Sequence, residues 1–264
     1  MPTRETAPHG APCWTDLMTS DVAAATDFYT QLFGWTADEP NAELGNYFTF
    51  YRDGVRVAGG YSKMPGTEGM PDVWSVYLDT DDAEKTVATA AAEGGHVIAP
   101  AMQVMDFGTM AVVADPGGAA IGMWQPGSHT GFGVLLEDRS PSWFELHTRD
   151  YETVIAFYQN VFGWETHTMS DTPELRYTVM KNPDGEGDLA GIMDASAFLP
   201  PGVSYWTVYF GTADADATLA KVVELGGTIV RPAEDTPYGR LAVAADSTGA
   251  KFSLLAPNDQ MPAK

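Results

Sequence analysis

Hydrophobic and polar positions change rhythm early in the chain. Over Cys13–Met18, spelled CWTDLM, they alternate as in a short strand, with Trp14, Asp16 and Met18 on one face and Cys13, Thr15 and Leu17 on the other. A helical spacing follows. Ser20 or Asp21 stands where a cap belongs, Phe28 and Leu32 lie one turn apart with Ala25 beside them, and Gly34 falls just past the end. Strands are predicted around NYFTFYRDG and VRVAGGY. The order then restarts with the strand VWSVYL. A second helix follows over Asp82–Glu93, ending at Gly94 and Gly95, and more strands lie near TMAVVA and AAIGMW. The pattern predicts strand, helix and strands, twice over.

The same pattern returns at an offset of 129 residues. Between Trp14–Trp35 and Trp143–Trp164, nine of 22 positions agree: Trp14, Leu17, Thr19, Asp21, Phe28, Tyr29, Phe33, Gly34 and Trp35 meet their counterparts. WSVYLDTDDA from Trp74 answers WTVYFGTADA from Trp206, and FGTMAVVADPGGA from Phe107 answers YGRLAVAADSTGA from Tyr238. Two related halves of domain size follow, each built of two modules. The expected division is a flexible start over 1–11, a first domain over 12–125, a linker rich in turn residues over 126–141, a second domain over 142–257 and a tail over 258–264.

Composition narrows the partners. Asp and Glu number 36 against 14 Lys and Arg, a formal net charge of −22, which disfavours nucleic acid and anionic membranes. Hydrophobic residues make up 44%, enough for a sizeable core. The single cysteine, Cys13, allows no internal disulfide and fits a reducing compartment. The opening residues lack an apolar signal core, and no apolar run reaches membrane-spanning length. A cytoplasmic protein, monomeric or homodimeric, is expected.

The phrases FYTQLFGW, FYQNVFGW, ADPGGAAIGMW and ADSTGAKFSLL resemble the vicinal oxygen chelate superfamily, the glyoxalase/bleomycin resistance/dioxygenase proteins, over most of residues 12–256. The likeness is closest to its tandem-domain, "hydroxylase"-like branch. It implies an α+β fold of four βαβββ modules forming two tandem cups, each holding a small molecule. The superfamily includes metal-dependent lyases and dioxygenases as well as metal-free proteins that sequester antibiotics, so fold alone does not choose an activity.

The resemblance also places metal ligands on particular strand positions. Here those positions hold Trp14 and Trp143 in the opening strands and Ser75 and Thr207 at the restarts. Gly122 and Ser253 stand in the closing strands of the second and fourth modules, with Gly59 and Gly191 near the corresponding places in the other two. None is His, Asp or Glu, whereas a catalytic metal normally takes about three protein ligands. No metal and no cofactor are therefore expected.

Alternation assigns the faces. Trp74, Val76, Leu78, Trp206, Val208 and Phe210 go under the helices, together with the repeated Phe-Tyr pairs. The first cup is expected to hold Trp14, Asp16, Met18, Ser75, Tyr77, Trp124 and either Tyr47 or Phe48. The second is expected to hold Trp143, Glu145, His147, Thr207, Tyr209 and Ser253. Aromatic floors with a few polar tips suit flat, partly apolar organic ligands. Glu145 and His147, two apart on one strand, form a candidate acid/base pair, with Tyr209 as a candidate donor to a developing oxyanion. The chain carries no G-x-S-x-G, H-E-x-x-H or nucleotide-binding glycine motif. The expected activity is binding of a small hydrophobic or aromatic metabolite without a metal, for sequestration or acid/base chemistry. The alternative is a metal-dependent glyoxalase or dioxygenase.

Overall fold

The computed structural model describes residues 6–183, 185 and 187–261. The first module runs β1 (Pro12–Thr19), α1 (Val22–Phe33), β2 (Thr36–Ala37), β3 (Phe48–Arg52) and β4 (Val55–Ser62). The second runs β5 (Val73–Asp79), α2 (Ala83–Ala92), β6 (His96–Val104), β7 (Gly108–Ala114) and β8 (Ala120–Pro126). The third runs β9 (Pro141–Thr148), α3 (Tyr151–Phe162), β10 (Thr166–Asp171), β11 (Arg176–Lys181) and β12 (Asp188–Asp194). The fourth runs β13 (Tyr205–Gly211), α4 (Ala215–Glu224), β14 (Thr228–Thr236), β15 (Gly239–Ala245) and β16 (Lys251–Ala256). This is the expected α+β arrangement of four βαβββ modules.

Each cup is built within one half. In the first, β1 pairs antiparallel with β5, parallel β4 and β8 flank this pair, and the order is β2-β3-β4-β1-β5-β8-β7-β6. The second half repeats this as β10-β11-β12-β9-β13-β16-β15-β14. Among the described residues a single bridge, Lys251 to Val73, joins the two sheets.

Helix α1 starts where Asp21 accepts a hydrogen bond from the Ala24 N–H, and ends at Gly34 in the left-handed region at φ 67°. Its buried residues are Ala25, Phe28, Tyr29 and Phe33. Leu32, expected on that face, is half-buried, because the core lies between Tyr29 and Phe33 rather than under Leu32. Those rings cross to the other half. Phe28 and Tyr29 lie 6.3 and 5.7 Å from Phe252, and Phe33 lies 5.4 Å from Phe210. The Tyr29 hydroxyl accepts from Trp74 Nε1 at 2.8 Å and donates to Asp246 in the fourth module at 2.9 Å. Tyr158 repeats the bond, accepting from Trp206 at 2.8 Å and donating to Asp115 at 3.1 Å. The repeated Phe-Tyr pair is therefore architecture, and it holds the halves together as well as pinning each helix. Each buried ring contributes about 2–3 kcal/mol from apolar burial.

The expected tails lie partly outside the described residues. The part described before β1 is tied down: Gly10 donates to Asp79 O at 3.0 Å, and Trp164 Nε1 donates to Gly10 O at 2.8 Å.

Candidate functional site

On the open face of each sheet sits one buried carboxylate held by phenols and an indole. In the first cup Asp16 Oδ1 accepts from Trp14 Nε1 and from the Tyr47 hydroxyl, each at 2.8 Å, and Trp14 Nε1 also lies 2.9 Å from the Tyr47 oxygen. Tyr47 is the cup residue, whereas Phe48 turns to the core beside Phe50. Burial pushes the Asp16 carboxyl up to about 6, against the hydrogen bonds from Tyr47, Trp14 and Tyr77. Met18, Tyr77 and Trp124 are buried alongside, and Ser75 lies directly across from Asp16 in the register.

In the second cup Glu145 takes the equivalent place with more partners. Its Oε1 lies 2.5 Å from His147 Nε2 and accepts from the Tyr209 hydroxyl at 2.9 Å. Its Oε2 accepts from the Tyr177 hydroxyl at 2.6 Å, and Tyr177 in turn accepts from Trp143 Nε1 at 2.8 Å. Burial acts to raise the Glu145 carboxyl, but His147, Tyr177 and Tyr209 together hold it below its usual range. A carboxylate only accepts, so His147 carries its proton on Nε2. In the neutral ring Nδ1 is then the lone-pair nitrogen, and it meets the Tyr205 hydroxyl at 3.1 Å. Tyr205 is 40% exposed, and Phe198, 58% exposed, lies 5.9 Å from the imidazole. Thr207 and Ser253 face each other at 3.2 Å beside this cluster.

The two clusters are one design repeated: Trp14, Asp16, Tyr47 and Tyr77 correspond to Trp143, Glu145, Tyr177 and Tyr209. Where the second cup carries His147 and Tyr205, the first carries Met18 and Val73. Periodicity grouped Trp14 with Asp16 and Glu145 with His147, pairs that the structure brings into contact. It did not find Tyr47's partner Tyr177, nor Tyr205, because strand alternation alone does not say how far a neighbouring strand's phenol reaches. Alignment of the halves carried a signal: Tyr47 and Tyr177 each lie two residues before a position paired with a cup glycine. The geometry also redistributes the expected roles. Tyr209 donates to Glu145, and the Tyr205 hydroxyl meets His147 Nδ1.

The strand positions that hold metal ligands in the resembled family are occupied in another sense. A Cβ on Gly59 would overlap the Tyr47 hydroxyl and Asp16, one on Gly191 would overlap the Tyr177 hydroxyl, and one on Gly122 would overlap the Tyr77 ring. The space for a ligand side chain is filled by the phenol–carboxylate clusters. Glu145 and His147 are two donors, already bonded to each other, so the residues present do not fit a family-type metal centre. Among the described residues, the one group of three candidate ligands is His9, Asp79 and Asp81, of which Asp79 stands opposite Trp124 in the register. Two surface hollows of about 480 and 560 Å³ contain no residue of either cluster.

Paired βαβββ modules around two open cups define the vicinal oxygen chelate architecture. The chain matches the Glyoxalase/Bleomycin resistance protein/Dioxygenase superfamily over residues 12–123 and 140–254, and it belongs to that superfamily. It is 38% identical over 265 residues to "Putative glyoxylase CFP32" of Mycobacterium tuberculosis (strain CDC 1551 / Oshkosh), covering 98% of this chain and 100% of that one. It is also 38% identical over 272 residues to "Anthracycline biosynthesis protein DauV" of Streptomyces sp. (strain C5), covering 96% of each. Among solved structures, the Mn(II)-bound glyoxalase from Novosphingobium aromaticivorans superposes with a TM-score of 0.62 at 14% identity, covering 97% of this chain and 86% of that one. The 2,3-dioxygenase LapB from Pseudomonas sp. KL28 superposes with a TM-score of 0.61 at 12% identity, covering 98% of each. These structural likenesses establish the fold.

Proposed function

We propose that the second cup binds a flat, partly apolar aromatic molecule bearing a hydroxyl or carbonyl group, without a metal of the family type, and that His147 exchanges a proton with that oxygen. The observation that carries this is the line Glu145–His147–Tyr205, with Trp143 half-buried on the same face of β9, beyond Glu145. Glu145 fixes the tautomer and orientation of His147, as a carboxylate does behind a catalytic imidazole. Tyr205 occupies the nitrogen that would meet the ligand, and its exposure leaves it free to swing aside. The ligand hydroxyl would then give its proton to Nδ1. Arg231 lies on the same face of the sheet, across Val243 from Ser253, and carries no ion pair among the described residues. Its charge reaches Tyr205 and Tyr209, where it favours an oxygen carrying developing negative charge.

The relatives named for anthracycline biosynthesis support a polycyclic hydroxylated aromatic as the ligand class. Sequestration and proton transfer both use this arrangement. Buried Cys13 and the acidic surface are in keeping with action in a reducing compartment. Among the described residues no helix is long and apolar enough to cross a membrane.

Titration of tryptophan fluorescence with 1,8-dihydroxyanthraquinone and with 2-naphthol tests the reading. Saturable binding is expected, weakened tenfold or more by Trp143→Ala. Equal affinity in the variant would remove the second cup as the site.

A further inference from the structure

The two cups differ in what covers the indole. In the first, Trp14 is 4% exposed. The imidazole of His129, from the connector between the halves, stands perpendicular to it with ring centroids 4.5 Å apart. The same imidazole lies 5.5 Å from Trp124, a second residue of that cup, and Phe132 lies 5.3 Å from Trp14. The connector is stitched there by its backbone. Gly127 and His129 donate to Phe107 O at 2.8 and 3.1 Å, and Ser128 donates to Asp106 O at 2.9 Å. Phe132 donates to Cys13 O and Gly133 to Arg56 O, each at 2.9 Å, and Trp124 Nε1 holds the His129 carbonyl at 2.8 Å. Gly131, at φ +96°, lets the chain pass where a Cβ would strike the Cys13 carbonyl. Burial, with the nearby Arg56 charge, drives the His129 imidazole down to about 4, so near neutral pH it is an uncharged flat ring.

The indole of the second cup has no such cover. Trp143 is half-buried, its Nε1 is held by Tyr177, and no aromatic ring of the described residues stacks against it. Among the described residues, Phe198 of the β12–β13 connection lies against His147 and no ring lies over Trp143.

We infer that the connector's His129 is a built-in occupant of the first cup, which excludes ligands from it and leaves the second cup as the chain's one site for a flat uncharged aromatic molecule. The part concerning the second cup rests on the binding reading above. His129 shows, within the same molecule, where a ring sits relative to this indole and carboxylate. A ligand over Trp143 takes the equivalent place. His129 is only half-buried, so removing its side chain leaves an opening through which a second ring can project.

Stoichiometry measured by equilibrium dialysis and native mass spectrometry with 2-naphthol tests this. The wild type is expected to take one equivalent, Trp143→Ala none, His129→Gly two, and the double variant Trp143→Ala/His129→Gly one. Two equivalents in the wild type would overturn the inference and leave the binding reading standing. One equivalent in both the wild type and His129→Gly would also overturn it. None in the wild type but one in His129→Gly would overturn the binding reading while supporting the connector as occupant. None in any variant overturns both. Hydroxyl-radical footprinting gives a readout that needs no ligand, and His129→Ser serves should the glycine variant not fold. Trp143 is expected to oxidise several-fold faster than Trp14 in the wild type, with Trp14 catching up in His129→Ser. Equal rates in the wild type sink the idea.

Discussion

At the scale of residues, Asp16 and Glu145 are the same group in two electrostatic settings. Both are buried, at 6% and 5% exposure, and both accept from phenols. Only Glu145 has an imidazole, and the difference sets the direction of each carboxyl's shift. Asp16 is raised, so its charged form opposes folding. Its contribution to stability is fully present below about pH 4 and is lost as the pH rises through about 6. A rise of about two pH units corresponds to about 3 kcal/mol. Asp115, raised to about 6 by burial against hydrogen bonds from Ala119 and Tyr158, adds a loss in the same window. Urea melts from pH 4 to 7 should show the wild type losing stability relative to Asp16→Asn as the pH rises. A difference between the two proteins that stays constant with pH would refute this account. At the neighbouring site, His147→Ala should abolish proton transfer while leaving 2-naphthol affinity within about threefold. If turnover of a discovered substrate survives, Glu145 and His147 are a structural pair.

At the scale of elements, the strands flanking each opening strand are shaped by what crosses them. Gly59 and Gly191 stand opposite Asp16 and Glu145 in the register, and each leaves room for a tyrosine hydroxyl. Gly191→Ala should therefore cost about 1–3 kcal/mol through overpacking, read by thermal unfolding, and should disturb the near-ultraviolet signal of Trp143 through Tyr177. Gly185, an exposed glycine that among the described residues meets only the end of the Asn182 side chain, should accept alanine with a far smaller change. The helices follow a different constraint. Helix α1 carries Phe28, Tyr29 and Phe33 to the facing half, so Phe28→Ala should cost about 3–5 kcal/mol through the cavity it leaves against Phe252.

At the scale of the whole molecule, two sheets that share a single bridge are joined by a common core. The rings of α1 pack on β13 and β16, while Tyr158 of α3 bonds Asp115 of the second module. Asn160 reaches Glu93 across the same boundary at 2.8 Å. A half expressed alone would expose these faces to water. Residues 12–125 and 142–257 produced separately should be unfolded or aggregated, and co-expression should recover a folded complex by circular dichroism. Independent cooperative unfolding of either fragment would show that the shared core is dispensable.

Much of this was written in local pattern. Periods of two and of nearly four set strand and helix, because side chains alternate on one and return each turn on the other. Repetition at an offset of 129 revealed two halves, since each must bury the same kind of face. Alternation alone put Trp14, Asp16, Glu145, His147 and Tyr209 toward the cups. Three facts needed the folded chain. Tyr29 and Tyr158 find their carboxylates 217 and 43 residues away, and no local rhythm records which sheet a helix will face. His147 is bonded to Glu145 on its own strand and to Tyr205 on β13, and Tyr205 arrives only when β9 and β13 pair. The connector reads as a polar turn-rich link, yet its His129 lies between two indoles. Contacts within a concavity come from segments distant in sequence, so only the tertiary structure placed His129 against Trp14 and left Trp143 without a stacked ring among the described residues.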